Sequence, residues 1–150
     1  MMQKDKKICV AFVCTGNTCR SPMAEAIFNR LAEEKQLDVY AVSFGMAAAN
    51  GVPVSPLAVK VCDEIGVDLK GKTASFIYNY DIGGIEKFYC MSQEHAMMLS
   101  QFCGIEEDRL SVLNISDPYG GGLEVYRAAR DEIYNSVAEL IKAYENNKAE

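Results

Sequence analysis

The sequence predicts an α/β fold in which helices pack on a parallel sheet. Two observations carry that reading. Short apolar runs alternate with longer segments whose apolar residues recur at helical spacing. Regular alternation of strand and helix implies parallel strands joined by right-handed crossovers. A third observation points to where function sits. The two least ordinary loops, "CTGNTCRS" after the first strand and "DPYGG" after the fourth, both fall at the carboxyl edge of such a sheet. Ligands bind at that edge in open parallel sheets.

The elements follow in chain order. "ICVAFV", from Ile8 to Val13, is a continuous apolar run and reads as a buried strand. Pro22–Lys35 reads as a helix, with Met23, Ala26, Ile27, Arg30 and Leu31 at helical spacing, Ser21 as its N-cap and Pro22 in its first turn. "VYAVSF", Val39 to Phe44, is the second strand. Ser55 and Pro56 open a second helix that Gly66 stops. Phe88–Met91 is a short third strand, and Gln93–Phe102 is a helix ended near Gly104. Leu110–Leu113 is the fourth strand, and Leu123–Tyr144 forms a long amphipathic helix after "DPYGGG". No repeat, low-complexity tract or linker interrupts the pattern, so residues 1–150 read as one domain.

Composition narrows the function. About half the residues are apolar and about a quarter are charged, as in ordinary globular proteins. A net charge of −6 argues against a broad nucleic-acid or anionic-membrane surface but leaves room for a local anion pocket. The opening "MMQKDKK" is charged and the apolar run behind it is short. No secretory signal or membrane span is read, and a cytoplasmic protein is expected. Six cysteines with one histidine and no C-x-x-C pair suggest neither a metal site nor a disulfide scaffold. Cys9, Cys62, Cys90 and Cys103 read as small buried apolar residues. Cys14 and Cys19 do not, because they share a polar loop.

That loop suits an anion. Gly16 adopts a positive φ without steric cost, and Asn17 tolerates left-handed geometry, so successive backbone N–H groups can converge into a nest. The helix behind adds its free N–H groups and positive dipole end. Arg20 adds a planar fork that matches two phosphate oxygens. Thr15, Gly16, Asn17, Thr18, Cys19 and Arg20 therefore form a candidate cradle for a tetrahedral dianion. Cys14 sits where the strand enters it. A helix N-terminus and a nearby cation are expected to lower its thiol pKa from ~8.5 into the range of roughly 3.5–7.5. A thiolate beneath a phosphoryl group is an in-line nucleophile, and the product is a phosphocysteine. Asp117, in "DPY", is the candidate acid for the leaving group and then the base for water. Tyr119 supplies an aromatic wall.

At this point the stretch "VCTGNTCRSPMAEA", with Ser43 in "VSFG", the "YCMSQEH" region and the late "DPYGG", resembles the low-molecular-weight protein-tyrosine phosphatase family over most of the chain. The resemblance implies a four-stranded parallel sheet flanked by helices in three layers, with the phosphate-binding loop after the first strand. It implies Cys14 as nucleophile, Arg20 as phosphate clamp and Asp117 as acid then base. It assigns Asn17 and Ser43 to bracing the loop and Ser21 to stabilising the thiolate. It implies a phosphorylated protein substrate, no cofactor and no metal, and a monomer is expected. Two departures stand out. Lys72 occupies the position of a histidine that often helps brace the loop. Thr18 stands where tyrosine-specific members carry a bulky aliphatic residue. A bacterial branch acting on phosphoarginine carries threonine there together with Asp-Pro-aromatic-Gly-Gly, so Thr18 tips the expected substrate from phosphotyrosine toward phosphoarginine.

Two other classes compete. Thiol-type arsenate reductases share this fold and need a relay of further cysteines, for which Cys90 and Cys103 are the late candidates. A phosphate-binding module without catalysis needs neither Cys14 nor Asp117. Cys19, five residues past Cys14 within the loop, is further expected to trap an oxidised Cys14 as a reversible disulfide.

Overall fold

The computed structural model describes residues 7–149, with the side chains of the last two left aside. Four parallel strands form the sheet: β1 (Ile8–Cys14), β2 (Val39–Gly45), β3 (Lys87–Cys90) and β4 (Leu110–Val112), in the order β2-β1-β3-β4. Four helices alternate with them: α1 (Arg20–Glu34), α2 (Pro56–Asp63), α3 (Gln93–Cys103) and α4 (Leu123–Ala149). The predicted α/β class and all eight elements are present.

The layers follow from strand periodicity. Successive side chains of a strand point to opposite faces. Val10, Phe12 and Cys14 of β1 join the core under α1, α2 and α4, with Met23, Ile27 and Phe28 from α1 and Ile133, Val137 and Ile141 from α4. Ala11 and Val13 join the opposite core, with Phe88 and Cys90 of β3 and Ala96 and Leu99 of α3. Both faces of β1 are therefore buried, which is why its sequence is unbroken in apolar character. Phe12 carries an aromatic stack, with Phe28 at 5.7 Å and Tyr89 at 5.4 Å between ring centroids.

Several boundaries differ from the sequence reading. α1 begins at Arg20, with Cys19 as its N-cap and no side-chain cap. Ser21 is thus inside the first turn, and its hydroxyl is committed elsewhere. α2 ends at Asp63, short of Gly66. Gly104 ends α3 in the left-handed conformation, φ +67°, as a glycine C-cap does. α4 runs five residues beyond Tyr144. The stretch between α2 and β3, which the periodicity left unassigned, contains a short 3₁₀ turn at Ile77–Asn79. It also makes isolated bridges from Phe76 to Gly45 and from Thr73 to Pro53. No helix among the described residues is long and apolar enough to cross a membrane.

The strand order reverses direction about β1 and β3, which creates a crevice at their carboxyl ends. β1 delivers Cys14 there. Gly45, at the end of β2, lies directly beneath the loop that follows Cys14. A Cβ at Gly45 would meet the Thr15 carbonyl oxygen at 2.6 Å, Ala48 Cβ at 2.8 Å and the Asn17 nitrogen at 3.0 Å. Two of those neighbours are backbone, so the loop itself must move. Gly45→Ala is therefore expected to destabilise the fold by about 1–3 kcal/mol in urea unfolding, the usual range for overpacking. Phosphate affinity should fall with it.

Candidate active site

The loop between β1 and α1 turns on Asn17, which adopts φ +55° and is fully buried. Gly16 does not take the positive φ expected of it. A Cβ there would meet only Thr18 Oγ1, at an ordinary 3.7 Å. Asn17 takes the left-handed role because its amide anchors the turn from inside. Its Nδ2 donates to Ser21 Oγ (2.7 Å) and to Ser43 Oγ (3.0 Å), and its Oδ1 accepts from the Ser75 N–H (2.8 Å). Its backbone N–H points at Cys14 Sγ at 3.2 Å.

Ser21 and Ser43 thus both receive a hydrogen from Asn17, which leaves their own hydroxyl hydrogens to give. Ser21 lies 2.8 Å from Cys14 Sγ and donates to it. Ser43 donates to Glu25 Oε1 at 2.5 Å. Glu25 in turn pairs with Lys72 Nζ at 2.9 Å. One polarised chain therefore runs from the Lys72 cation through Glu25, Ser43, Asn17 and Ser21 to the Cys14 sulfur. Lys72, unusual in the sequence, braces the loop through a carboxylate. Glu25 was missed: on α1 it reads as one more solvated acid, and only the tertiary fold turns it inward.

Arg20 is held from two sides. Its Nη1 donates to the Ile115 carbonyl at 2.9 Å, and its Nη2 lies 3.6 Å from Asp117 Oδ2. The Asp117 side chain is half exposed, and its Oδ1 accepts from the Tyr119 N–H at 3.1 Å. Tyr119 itself is 79% exposed and flanks the opening. Cys14, Thr15, Gly16, Thr18, Cys19, Arg20, Asp117 and Tyr119 all line one pocket of about 210 Å³. Asn17, Ser21 and Ser43 sit behind it as supports. Every residue singled out for the phosphate site is therefore at or behind this pocket.

Two further residues escaped the sequence reading. Tyr126 of α4 places its hydroxyl 3.2 Å from Cys19 Sγ and accepts a hydrogen bond from Ser55 Oγ at 3.2 Å. Cys19 is thus buried against a tyrosine, and both loop cysteines are free thiols. His95 of α3 reaches Thr15 Oγ1 at 2.9 Å. No spacing in the sequence brings either residue near the loop.

The Cys14 thiol departs from expectation. Burial pushes it up and is the largest cause. The Ser21 hydroxyl and N–H, the Asn17 N–H and the Arg20 charge all pull the other way. The net direction is upward, so the simple lowering expected from a helix N-terminus is corrected. Desolvation dominates because the sulfur is 3% exposed, at the floor of the pocket. The donors nonetheless fit the charged form: two N–H groups, a hydroxyl and a guanidinium act on one sulfur. This arrangement can hold a tetrahedral anion above a sulfur nucleophile, with a carboxyl at the rim.

Comparison with known proteins agrees with that chemistry. A family model, low molecular weight phosphotyrosine protein phosphatase, matches residues 9–150. A protein-arginine-phosphatase of Geobacillus stearothermophilus is 36% identical over 141 residues, covering 87% of this chain and 92% of the relative. The crystal structure of a low molecular weight protein tyrosine phosphatase from T. tengcongensis superposes with a TM-score of 0.87 at 34% identity, over 91% of this chain and 99% of that one. A YwlE arginine phosphatase, solved as a mutant with a phosphorylated active-site serine, superposes with a TM-score of 0.87 at 29% identity, over 92% of this chain and 96% of that one. The chain belongs to the low molecular weight phosphotyrosine protein phosphatase family.

Proposed function

We propose that this protein is a cysteine-dependent protein phosphatase that works through a phosphocysteine and prefers phosphoarginine to phosphotyrosine. The observation that carries the reading is the convergence of Cys14 Sγ, the Arg20 guanidinium and the Asp117 carboxylate on one pocket.

The chemistry proceeds in two displacements. Cys14 Sγ attacks phosphorus in line, and the bond from phosphorus to the leaving nitrogen or oxygen breaks. Asp117 delivers its proton to that leaving atom. The carboxylate left behind takes a proton from water, whose oxygen attacks phosphorus. The S–P bond breaks, and inorganic phosphate and the thiolate are released. Arg20 and the loop N–H groups hold the equatorial oxygens throughout, where charge spreads in the transition state. The Ile115 carbonyl fixes one arm of Arg20, so its fork is preorganised.

Thr18 supports the substrate preference. It lines the pocket and carries a hydroxyl near Cys19 Sγ, 3.7 Å away, in place of an apolar wall. A guanidinium leaving group is polar and suits a short hydroxylated wall beside a carboxylate better than a phenol ring does. Relatives described as arginine phosphatases support the same preference. The oxidoreductase alternative lacks its relay. Cys90 is fully buried in the core, with its thiol pushed up to about 12 by burial, and Cys103 lies at the far end of α3.

Three substitutions test this reading. Cys14→Ser is expected to abolish turnover in metal-free buffer while phosphate affinity stays near that of wild type; near-normal rates would sink the mechanism. Asp117→Asn should slow turnover by roughly 10²–10⁴-fold. That loss should shrink for an aryl phosphate whose leaving group needs no proton, whereas a uniform loss marks a structural role. In side-by-side assays on phosphoarginine and phosphotyrosine peptides, Thr18→Ile should move the kcat/KM ratio toward phosphotyrosine by about ten-fold, the scale of one altered pocket contact. An unchanged ratio removes Thr18 as a determinant.

A further inference from the structure

One buried titratable group at the pocket is not used by that mechanism. His95 lies in the first turn of α3, just past the end of β3, and is 2% exposed. Both ring nitrogens meet hydroxyls: Nε2 is 2.9 Å from Thr15 Oγ1, and Nδ1 is 2.9 Å from Ser92 Oγ. Thr15 is exposed, lines the pocket and directly follows Cys14. The charged groups that bear on the ring are Arg20 at the start of α1, Asp117 after β4 and Glu94 on α3 itself. Burial and the Arg20 charge hold the imidazole below its ordinary pKa, against the opposing carboxylates of Glu94 and Asp117. Both causes favour the neutral ring.

A neutral imidazole carries one N–H. With the hydrogen on Nδ1, the ring donates to Ser92, and Thr15 must give its own hydrogen to Nε2. Thr15 then turns lone pairs toward the pocket, which repels a phosphoryl dianion. With the hydrogen on Nε2, the ring donates to Thr15 Oγ1 and Ser92 donates to Nδ1. The Thr15 hydrogen is then left for the pocket. We propose that His95 is a positioning residue of the phosphate site, in which the Ser92–His95–Thr15 chain keeps the hydrogen on Nε2 and leaves the Thr15 hydroxyl as a donor to the bound phosphoryl group. This inference rests on the phosphatase reading above and names a further determinant of the same site.

Linkage follows. A dianion beside Thr15 offsets the Arg20 charge and favours the imidazolium, which still donates from Nε2. Anion binding therefore raises the His95 pKa, and reciprocally anion affinity rises as pH falls through it.

The chain contains a single histidine, so its imidazole C2–H resonance needs no assignment. The probe is sulfate, a tetrahedral dianion that does not itself titrate across the range. In wild-type protein the midpoint should lie below the unperturbed ~6.5 and move up by roughly half a unit or more at saturating sulfate. Calorimetry with sulfate reports binding independently. Sulfate bound with an unmoved midpoint overturns this inference alone, whereas a protein that binds no sulfate overturns the phosphatase reading and this inference with it. Kinetics supply the second arm. Thr15→Val and His95→Ala should each raise KM for an aryl phosphate about ten-fold with little change in kcat, as loss of one charge-assisted donor to ground and transition state alike. The double variant should be no worse than Thr15→Val, because the two residues act as one unit. Additive losses place His95 outside the phosphate site and defeat the proposal.

Discussion

The site depends on one buried side-chain amide. Asn17 holds the left-handed turn that wraps the loop around the Cys14 sulfur, and it does so with both ends of its amide engaged. No other residue type fits all of these demands. Aspartate accepts at Ser75 but cannot donate to Ser21 and Ser43. Glycine takes the φ without strain but removes one bond from each of the two hydroxyls, which keep Cys14 and Glu25, and leaves the Ser75 N–H without its acceptor. That N–H is half-buried, where an unsatisfied polar group costs about 1–3 kcal/mol. The turn and the hydroxyls around the sulfur are thus conditions on each other.

This interdependence explains how an acidic chain maintains a cationic pocket. The Arg20 charge is confined to the pocket by the Ile115 carbonyl and the Asp117 carboxylate. The Lys72 charge is spent on Glu25 at the far end of the bracing chain. What reaches the sulfur is a set of fixed dipoles and one guanidinium. Such a field needs no reorganisation when an anion arrives. Burial of the sulfur acts in the opposite direction and outweighs these donors in the free protein.

Much of this was legible before the fold was known. β1 and α1 were readable because burial on both faces of a central strand leaves an unbroken apolar run, and because one helix face must be apolar. The "CTGNTCRS" loop was readable because its residue types have few other uses. What stays undecided in the sequence has a common cause. Gly16 and Asn17 both suit a left-handed turn, and only the buried partners of the Asn17 amide decide between them. Ser21 reads locally as a helix cap, whereas the family resemblance points it at the sulfur, and its hydroxyl lies 2.8 Å from Cys14 Sγ. Glu25, His95 and Tyr126 sit in helical patterns that carry no trace of their partners. Their roles depend on contacts between residues far apart in sequence, and no local period encodes those.

The same long-range stitching has a consequence for how the protein comes into being. Thr15 is tied to His95 across 80 residues, Asn17 to Ser75 across 58, and Cys19 to Tyr126 across 107. Closing loops of that length carries an entropic cost that local structure cannot offset. A nascent or partly unfolded chain that has formed only β1 and α1 therefore holds Cys14 and its loop without the His95, Ser75 and Tyr126 contacts that brace them. The last of these ties, Tyr126 to Cys19, forms only when the carboxyl-terminal helix has docked, so the loop is fastened from the far end of the chain.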